Sequence, residues 1–335
     1  MKKTYYLFND GRVSRKDNTL CFIAKNQEGQ DQAPKYLPIE TIGQLYAFGS
    51  LDVNAALLNY LGQRHIPIHF FDYYEHYTGS FMPKDYLLAG KMQIAQTKCY
   101  LSSKKRKYIS QCLLEGASHN MIKNLKYYAN RGRKIQEEIK EIENLVATLP
   151  DSADIPAMMG IEGNIRKKYY NCFDAIITFF EMNGREKQPP SNEVNALVSF
   201  GNMVCYTLAL DMIYHTQLNP TISFLHEPGY RRYSLALDIA EVFKPVLVDR
   251  TIFRVLNKQE IQAKHFITES NGCFLKPEGK KIFLQAWEER LTETIKHRKL
   301  NKNVSYKHLV KLECYKISKY VLGDEDEYDV FKIWW

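Results

Sequence analysis

The sequence predicts an α+β protein of two domains, a small β-rich one over residues 1–90 followed by a larger all-helical one over 91–335. Three observations predict this. The first ninety residues hold short apolar or β-branched runs bounded by Gly, Asn, Asp and Pro, the pattern of strands and turns. From about Lys91 the apolar residues recur with a helical period over long windows, as they do on helices with one buried face. A chain of 335 residues with 45% hydrophobic content is large enough to bury a real core and to split into two domains.

In chain order, YYLF, the turn NDGR, TLCFIA and the later IPIHFFDYY read as strands and a turn, with VNAALLNYLG as a short helix between the later strands. The helical windows are MIKNLKYYAN, KIQEEIKEIENLVATL, NIRKKYYNCFDAIITFFEM, VNALVSFGNMVCYTLALDMIYH, GKKIFLQAWEERLTETIKH and KHLVKLECYKISKYVLG. No self-similar period marks a repeat protein.

Several classes are excluded. The N-terminus MKKTYYLFNDGR has no apolar stretch of signal-peptide type, and the most hydrophobic segment is interrupted by Asn195, Gly201, Asn202 and Asp211, so no membrane span is expected. Seven cysteines without a CxxC pair fit reduced thiols in the cytoplasm better than a disulfide frame or a zinc ribbon. Neither a Walker A loop nor a Rossmann glycine fingerprint is present.

The net charge of +8 is concentrated. Residues 91–140 carry twelve Lys and Arg against three acids, including Lys104, Lys105, Arg106 and Lys107, and a second run spans Lys296 to Lys311. Two such runs point to a phosphate backbone as partner.

The segment FLHEPGYRRYSLALDIAEVFKP, Phe224 to Pro245, is the most informative. With Ser234 as N-cap, a helix buries Leu235, Ala236, Ile239, Ala240, Val242 and Phe243 on a broad arc and leaves Asp238 and Glu241 on a narrow one. Two carboxylates on a mostly buried helix require a cationic neutraliser: a metal, an arginine or a basic substrate. Glu162, flanked by glycines in GIEG, is placed at the start of a helix, where the dipole favours an acid. Together with His226 these residues form an oxygen-rich set with one imidazole, suited to Mg²⁺ or Mn²⁺. HEPGY does not continue as HExxH, which excludes a zincin.

These motifs, in order LFNDGRVSRKDNTLCFIA, LPIETIGQLYAFGS, YTGSF, GIEG, PPSNEVNALVSFGN and FLHEPGYRRYSLALDIAEVFKPVLVDR, resemble the CRISPR-associated Cas1 family nearly end to end. The resemblance implies metal ligation by Glu162, His226 and Glu241, with Asp238 as the adjacent acid that orients a ligand or a metal-bound water. It implies DNA contacts from Arg231, Arg232 and Lys244, beside those expected of Lys104, Lys105 and Arg106. Many relatives read FRP where this chain reads FKP, so Lys244 keeps the charge without the two-pronged geometry of Arg. Asn195 has a hydrogen-bonding or a packing role.

The implied function is insertion of spacer DNA into a CRISPR array, for antiviral defence, by attack of a 3′-hydroxyl on a repeat phosphodiester. A homodimer joined by a small dimeric partner protein is implied with it. A stand-alone structure-selective nuclease and a non-catalytic DNA-binding scaffold, whose acids pair with Arg231 or Arg232, are the alternatives. Clustered carboxylates would repel one another, so alanine variants of Glu162 and Glu241 are expected to hold or gain stability without metal. Trp334 and Trp335 are expected to dock on their own domain or a neighbouring subunit, and loss of 329–335 to impair assembly first.

Overall fold

The chain divides into two units, Met1–Tyr86 and Leu87–Trp335. The structure is a computed structural model that describes all residues except 1, 73, 75, 85, 86, 88, 187, 188, 230–232, 270, 271, 298 and 335.

In the first unit the strands are β1 (Lys3–Leu7), β2 (Gly11–Lys16), β3 (Thr19–Ala24), β4 (Lys35–Pro38), β5 (Ile42–Ala47), β6 (Leu51–Asp52), β7 (Ile68–Phe71) and β8 (Tyr77–Phe81), with helix α1 (Ala55–Gln63) before β7. They form two four-stranded sheets, ordered β1-β5-β7-β8 and β4-β3-β2-β6. The β2–β3 hairpin runs from the Gly11–Ala24 pair to the Lys16–Thr19 pair. Its turn uses Asp17 at φ +53°, a left-handed conformation that Asp tolerates. Strand β5 pairs parallel with β7, a pairing that requires a crossover, and α1 supplies it, capped by the Asn54 side chain on the Leu57 amide at 2.9 Å. Leu20, Ile42, Leu45, Leu57, Leu61 and Ile68 fill the core of this unit.

The second unit comprises α2 (Gly90–Leu101), α3 (Ser103–Ala129), α4 (Gln136–Ala147), α5 (Ile155–Asn171), α6 (Phe173–Ile176), α7 (Glu193–Tyr214), α8 (Ser234–Lys244) and α9 (Arg250–Asn257), then the hairpin β9 (Phe266–Glu269) and β10 (Gly272–Leu275). After these come α10 (Pro277–Thr292), the hairpin β11 (Thr294–His297) and β12 (Lys302–Ser305), and α11 (Tyr306–Leu322). The unit is therefore helical with two added hairpins, where the sequence pattern indicated helices alone. Strands of four residues that pair with their nearest neighbour in sequence are too short to leave a readable period.

Helix α7 is long and apolar enough to cross a membrane, but 78% of its most apolar window is buried inside the protein. It packs against α8, which also lies on α3. At Gly201 of α7 an added Cβ would stand 2.5 Å from Val248 Cγ1, so glycine here permits the close approach. Pro245 cannot donate to the carbonyl one turn before it, and Pro245–Asp249 widens into a π-turn that continues into α9. Side chains satisfy the carbonyls of this irregular stretch. Asn120 donates to Val242 O at 2.8 Å and Asn124 to Pro245 O at 2.6 Å.

The C-terminal segment lies against its own unit. Phe331 stacks on Phe243 with centroids 4.9 Å apart, Ile333 N donates to Asn120 Oδ1 at 2.8 Å, and Tyr328 donates to the fully buried Glu313 at 2.5 Å. Trp334 Nε1 donates to Lys296 O at 3.0 Å; Trp335 lies outside the described residues.

Candidate functional site

Helix α8 presents its apolar arc to the core as its sequence requires, with Leu235, Ile239, Val242 and Phe243 fully buried. Ser234 is the first helical residue rather than the cap, and its hydroxyl donates to Thr221 O at 2.9 Å. The acidic arc is not solvated either. Asp238 is 0% exposed and Glu241 7%.

Asp238 faces the segment that carries His226. Its Oδ2 accepts from the Phe224 and Leu225 amides at 2.7 and 3.0 Å, and its Oδ1 from the His226 amide at 3.0 Å and from His226 Nδ1 at 2.8 Å. Three backbone amides and one imidazole nitrogen thus converge on this one carboxylate. The same segment is gripped from the other side. Arg106 Nε and Ser110 Oγ both donate to Phe224 O at 2.9 Å, Arg106 Nη2 pairs with Glu227 at 2.6 Å, and the guanidinium lies 4.3 Å from the Tyr100 ring centroid.

Arg106 is therefore a clamp of this loop, not the free phosphate ligand expected from the basic run, because its side chain is only 15% exposed and already paired. Lys104 and Lys105 are exposed. Arg231 and Arg232 lie outside the described residues.

Glu162 sits in the middle of α5, whose N-cap is Asp154, so the helix-start reading of this residue is corrected. Its neutraliser comes from one turn further along the same helix. Arg166 Nε bonds Glu162 Oε1, and Arg166 Nη2 contacts Glu241 Oε2 on α8. Lys244 adds a second cation, with Nζ 2.6 Å from Glu241 Oε1. Four charges thus alternate, Glu162–Arg166–Glu241–Lys244, with side chains 10–18% exposed. The cation is an arginine within the protein. Lys244, expected as a phosphate contact, is drawn inward, and burial, with Arg166 next in effect, pushes its ammonium down to about 8.

Among the described residues no three His, Cys, Asp or Glu side chains are gathered into a ready-made ion site. Glu162 and Glu241 are brought together through Arg166, whereas His226 is turned to Asp238. The donor types nonetheless fit a hard divalent cation. Glu241 Oε2 is buried and its cationic neighbour is Arg166 Nη2, and the Nδ1 bond to Asp238 leaves Nε2 as the imidazole nitrogen for ligation, the usual arrangement of a metal-binding histidine.

Sequence reasoning missed two residues. Arg166 was legible as an i, i+4 partner of Glu162. Asp249 was not. It ends the π-turn, fully buried, accepts from Tyr169 Oη at 2.8 Å, and leaves its buried Oδ1 without a hydrogen-bond partner; burial raises its carboxyl to about 7. Asn195 proves to be a strut, its buried amide donating to Met182 O and Gly184 O and accepting from Arg185.

The model of the family described as CRISPR associated protein Cas1 matches residues 5–289. A CRISPR-associated endonuclease Cas1 of Fusobacterium nucleatum is 43% identical, covering 100% of this chain and 98% of that protein. A solved Cas1 protein from Thermotoga maritima is 36% identical with a TM-score of 0.86, covering 99% of this chain and 100% of that one. The fold is shared by a casposase bound to integration product, at TM-score 0.87 and 18% identity with 98% and 93% coverage. It is shared too by a Cas6-RT-Cas1–Cas2 complex, at 0.82 and 17%, covering 100% of this chain and 36% of that one. The chain belongs to the CRISPR-associated Cas1 family.

Proposed function

We propose that the protein is a divalent-metal-dependent DNA endonuclease and integrase that inserts spacer DNA into a CRISPR array by transesterification. Glu162, Glu241 and His226 would hold Mg²⁺ or Mn²⁺. The observation that carries this reading is the pairing of Glu162 and Glu241, from two different helices, around one cationic position.

When bound, the ion polarises the scissile phosphodiester and eases ionisation of the attacking 3′-hydroxyl. The protein's own groups do the rest. Asp238 accepts a hydrogen bond from His226 Nδ1–H, which leaves Nε2 as the nitrogen for ligation. Lys244 keeps positive charge beside Glu241, near the negative charge that builds on phosphorus. The exposed Lys104 and Lys105 hold the DNA backbone, with Arg231 and Arg232 as further contacts. Exchange of one phosphodiester for another needs no nucleotide triphosphate, in keeping with a sequence that has no P-loop.

We infer a homodimer acting in the cytoplasm with a small dimeric partner; that a protein of this fold occurs in a Cas6-RT-Cas1–Cas2 complex supports the partner. The test is a strand-transfer assay with that partner, a short duplex with free 3′-hydroxyls and a supercoiled repeat-bearing plasmid. Joined product dependent on Mg²⁺ or Mn²⁺ is expected. Cutting without joining would leave a stand-alone nuclease.

A second reading also has an observation behind it. The Glu162–Arg166–Glu241 bridge is what a non-catalytic scaffold with internally neutralised acids would contain. Such a scaffold would bind DNA and show no saturable Mn²⁺ binding.

A further inference from the structure

Arg166 occupies the position between the two carboxylates assigned to the metal, and its surroundings are nearly balanced in charge. Two glutamates face Arg166 and Lys244, a formal sum of zero. A divalent ion entering with Arg166 still in place would set four positive charges against two negative ones. With Arg166 withdrawn, the same ion leaves a surplus of one. Arg166 and the ion therefore compete for Glu162 and Glu241.

The two cations of the site differ in what they can do next. Lys244 is 12% exposed and touches Glu241 alone among these acids, a point charge that stays beside the ion. Arg166 is 18% exposed at the end of a flexible side chain, and a guanidinium released from carboxylates is well shaped to bind phosphate through two parallel bonds.

We propose that Arg166 is a tethered counter-ion that keeps Glu162 and Glu241 occupied in the resting protein and passes to a DNA phosphate when a divalent ion takes its place. This rests on the metal assignment made above. Because the metal-competent state is then a minor one, metal affinity in the resting protein is reduced by the fraction of molecules with Arg166 withdrawn. DNA, by binding the withdrawn guanidinium, raises metal affinity, and metal raises DNA affinity by the same factor.

The experiment measures Mn²⁺ binding by the electron paramagnetic resonance of free Mn²⁺, on the full chain, with and without a short DNA duplex. Wild type, Arg166→Gln, Arg166→Lys and Glu241→Ala are compared, with folding checked by circular dichroism. Without DNA, Arg166→Gln should bind Mn²⁺ about tenfold more tightly than wild type, the expected result of removing a dominant competing state. The duplex should tighten Mn²⁺ binding by a larger factor in wild type than in Arg166→Gln, where only direct contact of the ion with phosphate remains. Arg166→Lys, which keeps the charge but cannot bridge two carboxylates, should fall between, and it carries the test should Arg166→Gln fail to fold.

Equal or weaker Mn²⁺ binding by both Arg166 variants, with wild-type binding intact and lost in Glu241→Ala, would overturn the counter-ion role and leave the metal site standing. Mn²⁺ binding absent from wild type and both Arg166 variants, or unchanged in Glu241→Ala, would overturn the metal site and this proposal with it.

Discussion

Asp238 and His226 are joined by two hydrogen bonds, one from the backbone amide at 3.0 Å and one from Nδ1 at 2.8 Å, both to Oδ1. The acid that the sequence presents as a neighbour of the proposed metal ligands is thus the post on which the histidine segment is mounted. Asp238→Asn turns one acceptor into a donor that faces amide N–H groups, so its effect on stability should be severe. Charged hydrogen bonds are worth about 1.5–3 kcal/mol each, and a loss of about 3 kcal/mol in urea denaturation is expected. An unchanged midpoint would show that the post is dispensable.

Glu162→Ala, His226→Ala and Glu241→Ala should each nearly abolish strand transfer while DNA binding persists. The Glu162→Ala, Glu241→Ala double variant should be hardly worse if the two hold one ion as proposed, since ligands of one ion act as a unit. Their stability should differ from the expectation of relieved repulsion. Glu241→Ala leaves Arg166 and Lys244 without their shared carboxylate, and breaking a largely buried pair costs up to about 3 kcal/mol when the groups are partly exposed. A lower melting temperature without metal is expected, more for Glu241→Ala than for Glu162→Ala. An unchanged or higher value would mean that the carboxylates repel more than the cations hold.

The basic run has to be tested without Arg106, whose removal would free the Phe224–Glu227 loop. Lys104→Glu with Lys105→Glu should weaken duplex binding and lower the slope of log affinity against log salt by about two, one for each phosphate that the protein no longer neutralises. Arg106→Ala should act on strand transfer first. A salt slope untouched by the double reversal would remove this helix from the DNA path.

Asp249 gives a pH signature. Its carboxyl lies at about 7 in the folded chain against an ordinary 3.8, so between those values the native state keeps a proton that the unfolded chain has released. Stability from this group is present below about pH 4 and declines as pH rises to about 7. Asp249→Asn removes the decline, so the urea midpoint of wild type relative to the variant should fall across that window. Parallel curves would mean that Asp249 is already ionised throughout, held by its surroundings of Tyr169, Arg166, Lys244 and Arg185.

Two kinds of information separate at this site. The order of residues was enough to specify the two-unit α+β plan and the buried arc of α8 with Asp238 and Glu241 on its polar edge, because periods of 2.0 and 3.6 residues are local properties of the backbone. It also showed, through its order of motifs, which chain family carries Glu162 and His226. Which cation meets Glu241 was settled by packing alone. Arg166 on α5 lies 75 positions earlier in the chain, and the two meet because both helices pack on α3. The inward turn of Arg106 and Lys244, the burial of Asp249 and the docking of the C-terminal segment on Asn120 and Phe243 arose in the same way. A charged residue's spacing fixes the face it occupies, whereas its partner and its protonation depend on what another element brings to that face.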